Sequence, residues 1–256
     1  MPPRPTRGRT DEYPPVVLAP MAGVTNAAYR QLCREQAESS GVAAPAGLFV
    51  CEMITSRGLV ERDRKSLAML AFDPGETINS VQLYGGVDPA TMAHATEILC
   101  NEFGGVQHVD LNFGCPVPKV TRKGGGGGGV LPWKRDRLRA ILSATVSAAA
   151  PYGGVPVTMK TRKGIDADHL TYLDAGRIAA DSGIAAIALH GRTVADAYSG
   201  TADWDAIAEL KASTGIPVLG NGDIWEPPTP SKWSPGPAWT GVVIGRGCLG
   251  RPGCSA

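Results

Sequence analysis

Residues 112–116, Asn-Phe-Gly-Cys-Pro, bring an amide, a glycine, a thiol and a proline together just where the β-rich run 108–114 ends. A free thiol with a pKa of about 8.5 is mostly protonated at neutral pH, so Cys115 can deliver one proton to carbon as a general acid. No neighbouring His or Asp pattern supports a protease-type nucleophile. The competing reading is a buried loop thiol. Lys160, inside the run PVTMKTR (156–162), is a cation in a strand, which is costly unless something anionic meets it. Gln82 and Asn112 end two further runs and offer amide donors and acceptors suited to a planar ring with imide edges. Each of these amides could equally be a capped strand end.

A phosphate site is expected where two glycine-bearing stretches fall, Asn221-Gly222-Asp223 and Gly245-Arg246-Gly247. Barrel enzymes commonly bind phosphate on backbone N–H groups of the last two strand–helix loops, and Arg246 can add a charge-assisted contact. With the bend at Pro20-Met21-Ala22, this set suits a phosphate-bearing heteroaromatic cofactor, and flavin mononucleotide (FMN) fits it.

These residues need elements to converge them. Eight short β-rich runs recur along the chain, at 16–21, 47–53, 78–85, 108–114, 156–162, 186–192, 217–223 and 241–247. Most lack clean alternation, as expected of strands buried on both faces. Helical stretches are expected at 26–39 (with Thr25 as N-cap), 89–103 (Asp88 before a proline), 133–149, 170–181 and 203–213. The alternation gives an α/β protein, a (β/α)8 TIM barrel. Polar residues mark nearly every strand's C-terminal end: Met21-Ala22-Gly23, Glu52, Gln82, Asn112, Lys160, His190, Asn221 and Arg246. In a barrel those ends share one mouth. Five prolines within 227–237 disrupt the seventh helix, and no room remains for an eighth after the last strand. The six glycines 124–129 read as a flexible, low-complexity loop.

The 256 residues carry a net charge of +1, so no overall field marks a nucleic-acid binder. Six cysteines without a CxxC pair argue against a zinc site, and Cys33, Cys51 and Cys100 read as small core residues. The stretch 1–15 is basic and proline-rich, a flexible tail without the apolar segment that export requires, and no run is long enough to span a membrane. A cytoplasmic monomer with no metal is expected, with one barrel domain over 16–256.

In order, VLAPMAGVTNAAYR, VQLYGG, VDLNFGCPVPKVTRKGGG, VTMKTRKG, ALHGRT, VLGNGDI and GVVIGRGCLGRP resemble the tRNA-dihydrouridine synthase family, from about Val16 to Pro252. The resemblance implies an FMN-dependent barrel that reduces uridine in tRNA to 5,6-dihydrouridine with NADPH (or NADH). It implies that Pro20, Met21 and Ala22 hold the flavin ring, that Gln82 bonds its edge and that Lys160 contacts it. It sets Asn221, Gly222, Asp223, Gly245 and Arg246 around the phosphate, and makes Cys115 the donor of a proton to C5. Asn112 and His190 are candidates for the flavin or the uracil edge. Lys119, Arg122, Lys123 and Arg192 are candidates for tRNA phosphates, and the target base must leave its stack to reach the site.

The family continues past Gly-Arg-Pro into a helical domain that this sequence does not contain, and the prolines at 227–237 replace a helix. Two other readings therefore stand beside the first. One is an FMN oxidoreductase acting on a small pyrimidine, dihydropyrimidine- or dihydroorotate-like. The other is an inactive fragment that at most binds flavin.

Overall fold

The computed structural model describes residues 16–39, 47–85, 87–103, 105–121, 126–226 and 239–251. Eight parallel strands close into a barrel in chain order: β1 Val16–Leu18, β2 Leu48–Thr55, β3 Asn79–Tyr84, β4 Val106–Phe113, β5 Val157–Arg162, β6 Ala186–His190, β7 Val218–Asn221 and β8 Gly241–Ile244. Closure comes from β1 and β8, with Val17 opposite Val243. Each expected strand is present.

A strand's side chains alternate between faces, and here alternation separates two populations. Val81, Leu83, Val109, Leu111 and Met159 are buried in the large core beneath the helices, with Leu138, Ile141 and Leu142. The other face of β3, β4 and β5 carries Ser80, Gln82, His108, Asp110, Asn112, Thr158 and Lys160. Register aligns these across the strands: Ser80 opposite His108, Gln82 opposite Asp110, Asp110 opposite Thr158, and Asn112 opposite Lys160. Facing them across the lumen, Ala19, Ala188 and Val243 form a small apolar cluster with Val17 and Leu219. The lumen is thus polar along one side and hydrocarbon along the other.

Eight α-helices occur among the described residues: α1 Ala27–Ser39, α2 Ser56–Val60, α3 Arg64–Ala68, α4 Pro89–Glu102, α5 Pro118–Thr121, α6 Arg135–Ala149, α7 Tyr172–Asp181 and α8 Trp204–Ser213. Asp88 and Asp203 cap α4 and α8 through the N–H groups of Thr91 (2.9 Å) and Ala206 (3.0 Å). The cap of α1 differs from expectation. Asn26, not Thr25, accepts the Tyr29 N–H (3.0 Å), because the Thr25 hydroxyl is already bonded to Met21. α6 begins two residues later than the sequence suggests, since Gly128–Trp133 forms a 3₁₀ helix containing Pro132. α2, α3 and α5 had no signal in the sequence, being too short to display a 3.6-residue period.

The glycine run is corrected in part. Gly127, Gly128 and Gly129 are buried rather than loose, and Gly129 N–H donates to the Cys115 carbonyl (3.0 Å). Gly128 has φ 57°, and a Cβ there would lie 2.6 Å from the same carbonyl oxygen. Only glycine fits. Cys33, Cys51 and Cys100 are buried free thiols, as expected of core residues. The tail 1–15, the segment 227–237 for which no helix is expected, and residues 252–256 lie outside the described residues. Among the described residues no helix is long and apolar enough to cross a membrane.

Candidate active site

A cavity of about 390 Å³ opens at the C-terminal rim of the strands. Its wall includes all of Pro20, Met21, Ala22, Gln82, Asn112, Cys115, Lys160, His190, Arg192, Asn221, Gly222, Asp223, Gly245 and Arg246. Sequence reasoning named them one strand at a time; the barrel gathers them.

The turn after β1 is held shut by its own threonine. Met21 N–H donates to Thr25 Oγ1, and Val24 and Thr25 N–H donate to the Met21 carbonyl (3.0 Å each). Arg30 donates to the Thr25 carbonyl (2.8 Å) from a buried pair with Glu76. Met21 and its neighbours are therefore presented on a fixed bend.

Two amides organise the centre. Gln82, 0% exposed, donates through Nε2 to Asp110 (2.6 Å) and accepts from Asn112 Nδ2 (2.8 Å). Asn112 Oδ1 in turn accepts the N–H groups of Gly114 (3.1 Å) and Cys115 (2.9 Å). The same turn is gripped from its carbonyl side. Arg162 Nε donates to the Gly114 carbonyl (2.9 Å), while Nη1 donates to the carbonyls of Thr193 and Ala197 (2.8 Å each). Burial pushes the Cys115 thiol above its ordinary pKa, against the smaller pull of the Val117 N–H and Arg162. The thiol therefore stays protonated at neutral pH.

Lys160 has the opposite problem. Removal of its ammonium from water, with Arg162 close by, pulls its pKa from 10.5 to about 7, although Asp110 opposes the shift. A buried lysine perturbed in this way, facing a cleft, marks a candidate functional site. His190 is pushed to about 2, by burial first and then by Lys160, Arg162, Arg192 and Arg246. It is neutral, and its Nε2 accepts from Arg192 (3.4 Å), which leaves the ring proton on Nδ1.

The last two loops are pressed together at Gly247, where a Cβ would come within 2.0 Å of the Ile224 carbonyl oxygen. Arg246 begins a 3₁₀ turn and lies over the rings of Tyr198 (4.3 Å) and Trp225 (5.6 Å). The Asp223 side chain is tied into the pocket wall. Its carboxylate is engaged by Arg192 Nη2 (2.9 Å to both oxygens) and by Ala202 N–H (2.6 Å). What remains for a phosphate is its backbone.

Arg192, a candidate for tRNA phosphates from the sequence, lies in the cavity wall. It is 3% exposed, and besides Asp223 its guanidinium donates to the carbonyls of Ser199 and Gly200. It braces the pocket wall, with acceptors from His190, Ser199, Gly200 and Asp223 around it. Lys119 is exposed on α5 and does not line the cavity. Arg122 and Lys123 lie outside the described residues. Sequence reasoning passed over Arg162, Asp110, Met53 and Tyr198. Two-residue spacing from Lys160 and Asn112 was a usable signal for Arg162 and Asp110, since i and i+2 share a strand face.

A (β/α)8 barrel with its polar side chains drawn to the strand C-termini is the class of scaffold that supports many enzymes. Comparison with known proteins narrows it. Residues 17–256 match the family model described as dihydrouridine synthase (Dus), and the chain belongs to that family. It is 53% identical over 239 residues to a probable tRNA-dihydrouridine synthase of Mycobacterium tuberculosis, covering 93% of this chain and 60% of that protein. It is 40% identical over 237 residues to tRNA-dihydrouridine synthase B of Pseudomonas aeruginosa, covering 93% and 66%. The chain thus spans roughly three-fifths to two-thirds of the length of these curated relatives. Among solved structures, histamine dehydrogenase from Rhizobium sp. 4-9 is similar with a TM-score of 0.63 and 12% identity, over 93% of this chain and 44% of that one. That likeness is one of fold.

Proposed function

We propose that the protein is a flavin-dependent tRNA-dihydrouridine synthase. In this reading FMN is the cofactor, NADPH (or NADH) the reductant, uridine in tRNA the substrate, and Cys115 the donor of a proton to C5. The observation that carries it is the joint presence of the Cys115 thiol and the buried amine of Lys160 in the wall of one cavity.

The donor set fits a phosphorylated planar ring. Met21 and Ala22 offer a fixed bend, Gln82 and Asn112 oriented amides, and Lys160 a cation in reach of the cavity. Arg246 and the glycines beside it suit a phosphate, with backbone N–H groups from Gly222 and Asp223. When bound, the flavin supplies the hydride chemistry. This chain's residues do the rest. Asn112 and Arg162 aim the thiol turn, Lys160 balances negative charge, and Cys115 holds its proton until the base is in place. Neutral His190, a donor at Nδ1, is a candidate for the uracil edge. Lys119, Arg122 and Lys123 are assigned to tRNA phosphates.

Incubation of the purified protein with FMN, NADPH and unmodified tRNA, followed by mass analysis of the nucleosides, should reveal uridine that has gained two hydrogens. Cys115→Ala should keep FMN binding and NADPH oxidation while losing that product. A folded preparation that binds no FMN would overturn the proposal. Reduction of free uracil or orotate, but not of tRNA, would favour the small-pyrimidine reading.

A further inference from the structure

A continuous hydrogen-bonded column runs up the polar side of the lumen, from the foot of β3 and β4 to the thiol turn. Ser80 Oγ meets His108 Nδ1 (2.7 Å), His108 Nε2 meets Thr158 Oγ1 (2.9 Å), and Thr158 Oγ1 donates to Asp110 Oδ1 (2.6 Å). From above, Gln82 Nε2 donates to Asp110 Oδ2 (2.6 Å). Asn112 Nδ2 donates to Gln82, and Asn112 Oδ1 accepts from Gly114 and Cys115.

The directions in this column are forced. The Thr158 hydroxyl has one proton, given to Asp110, so it accepts from His108 Nε2–H, and His108 Nδ1 accepts from Ser80. Burial holds His108 below its ordinary pKa and hence neutral, as this tautomer requires. On the upper arm a carboxylate, which only accepts, stands at one end, and two backbone N–H groups, which only donate, stand at the other. Two amides linked between such ends have one consistent orientation. Every donor in both arms points toward Asp110, and a chain aligned in this way strengthens its own bonds.

We infer that Asp110 is a positioning residue for the reaction: by accepting from Gln82 it fixes the sense of both amides, and through Asn112 it sets the turn that carries the Cys115 thiol. The catalytic meaning of this rests on the reading of Cys115 given above, but the mechanical claim does not. Reversal of the amides would turn Asn112 Nδ2 toward the Gly114 and Cys115 N–H groups, donor against donor. The turn would then keep only its carbonyl-side contacts, from Arg162 to Gly114 and from the Gly129 N–H to Cys115.

The test is the rate at which Cys115 is alkylated by iodoacetamide in the flavin-free chain at fixed pH, read on the peptide that contains it. Asp110→Leu removes the acceptor at similar volume and should speed alkylation roughly fivefold, as for the loss of about one net hydrogen bond. Gln82→Met cuts the column midway and should act alike. Asp110→Asn should stay near the unmodified rate, since its oxygen can still face Gln82 while its amide faces Thr158, whose hydroxyl then turns to His108. In an Asn112→Ala background, Asp110→Leu should add nothing, because the route through Asn112 is already lost.

Unchanged alkylation in folded Asp110→Leu, or full additivity with Asn112→Ala, would overturn the inference. If Asp110→Leu does not fold, Gln82→Met decides alone, and the unmodified rate there is equally fatal. A chain that passes these tests yet never binds FMN would sink the proposed function and leave the positioning role standing.

Discussion

Asn112 and Arg162 hold one turn from opposite sides: Asn112 accepts the Cys115 N–H at 2.9 Å, and Arg162 donates to the Gly114 carbonyl at 2.9 Å. The two come from adjacent strands, so the thiol's position is set by the rigid sheet and not by its own loop. Arg162→Lys keeps the charge but cannot bridge three carbonyls with one ammonium. Product formation should fall by about tenfold or more, equivalent to ~1.4 kcal/mol, while NADPH oxidation changes far less. Single-turnover measurement of the two half-reactions separates them.

Lys160 gives the flavin-free protein a signed pH dependence. Its folded pKa of about 7 lies below the ordinary 10.5, so between those values the unfolded chain binds the extra proton and stability rises with pH. Arg162 from its own strand, Asp110 from β4 and neutral His190 from β6 share its surroundings. Lys160→Met should raise the Tm of the flavin-free protein near pH 7 and flatten the slope up to about pH 7.5, where unfolded-state cysteines begin to titrate. The same variant should bind FMN more weakly. A Tm lower than that of the parent would contradict the account.

His190 acts in a separate, more acidic window. With its folded pKa at about 2 against an ordinary 6.5, the unfolded chain takes up a proton first as pH falls below 6.5, and stability drops with it. His190→Gln should lose part of that slope between about pH 6.5 and 4.5, above the range in which most carboxylates titrate. Thermal melts across that range check it.

Gly128→Ala tests the buried end of the glycine run. A methyl there strains a left-handed backbone, which costs of order 1–3 kcal/mol, and pushes on the Cys115 carbonyl. The expected result is a lower Tm with dihydrouridine formation reduced more than FMN binding. Gly126→Ala faces instead the tip of Lys134, yet shares a positive φ. It should cost stability without touching the thiol.

Much of this was legible in the sequence because parallel strands buried on both faces leave an apolar signature, and their polar ends stand out against it. Cys115, Lys160 and Asn112 were visible for that reason. Asp110 and Arg162 were harder to see, since a charge beside apolar neighbours looks like an ordinary exposed position until register turns it inward. Arg192 was legible as a basic residue near a loop, but not the acceptors from residues 190, 199, 200 and 223 that close around it. Gly128 misled, because a homopolymer run carries no local cue that its far end is packed.

The two sides of the lumen answer to different rules of change. Along Ala19, Ala188 and Val243, what matters is bulk, and exchanges of similar size should pass with little effect. Along β3 to β5, what matters is polarity sense: Thr158→Val or Gln82→Glu alters almost no volume, yet each cancels or reverses a link. Drift in this barrel should therefore be lopsided, with one wall free to wander among small aliphatics and the other nearly frozen.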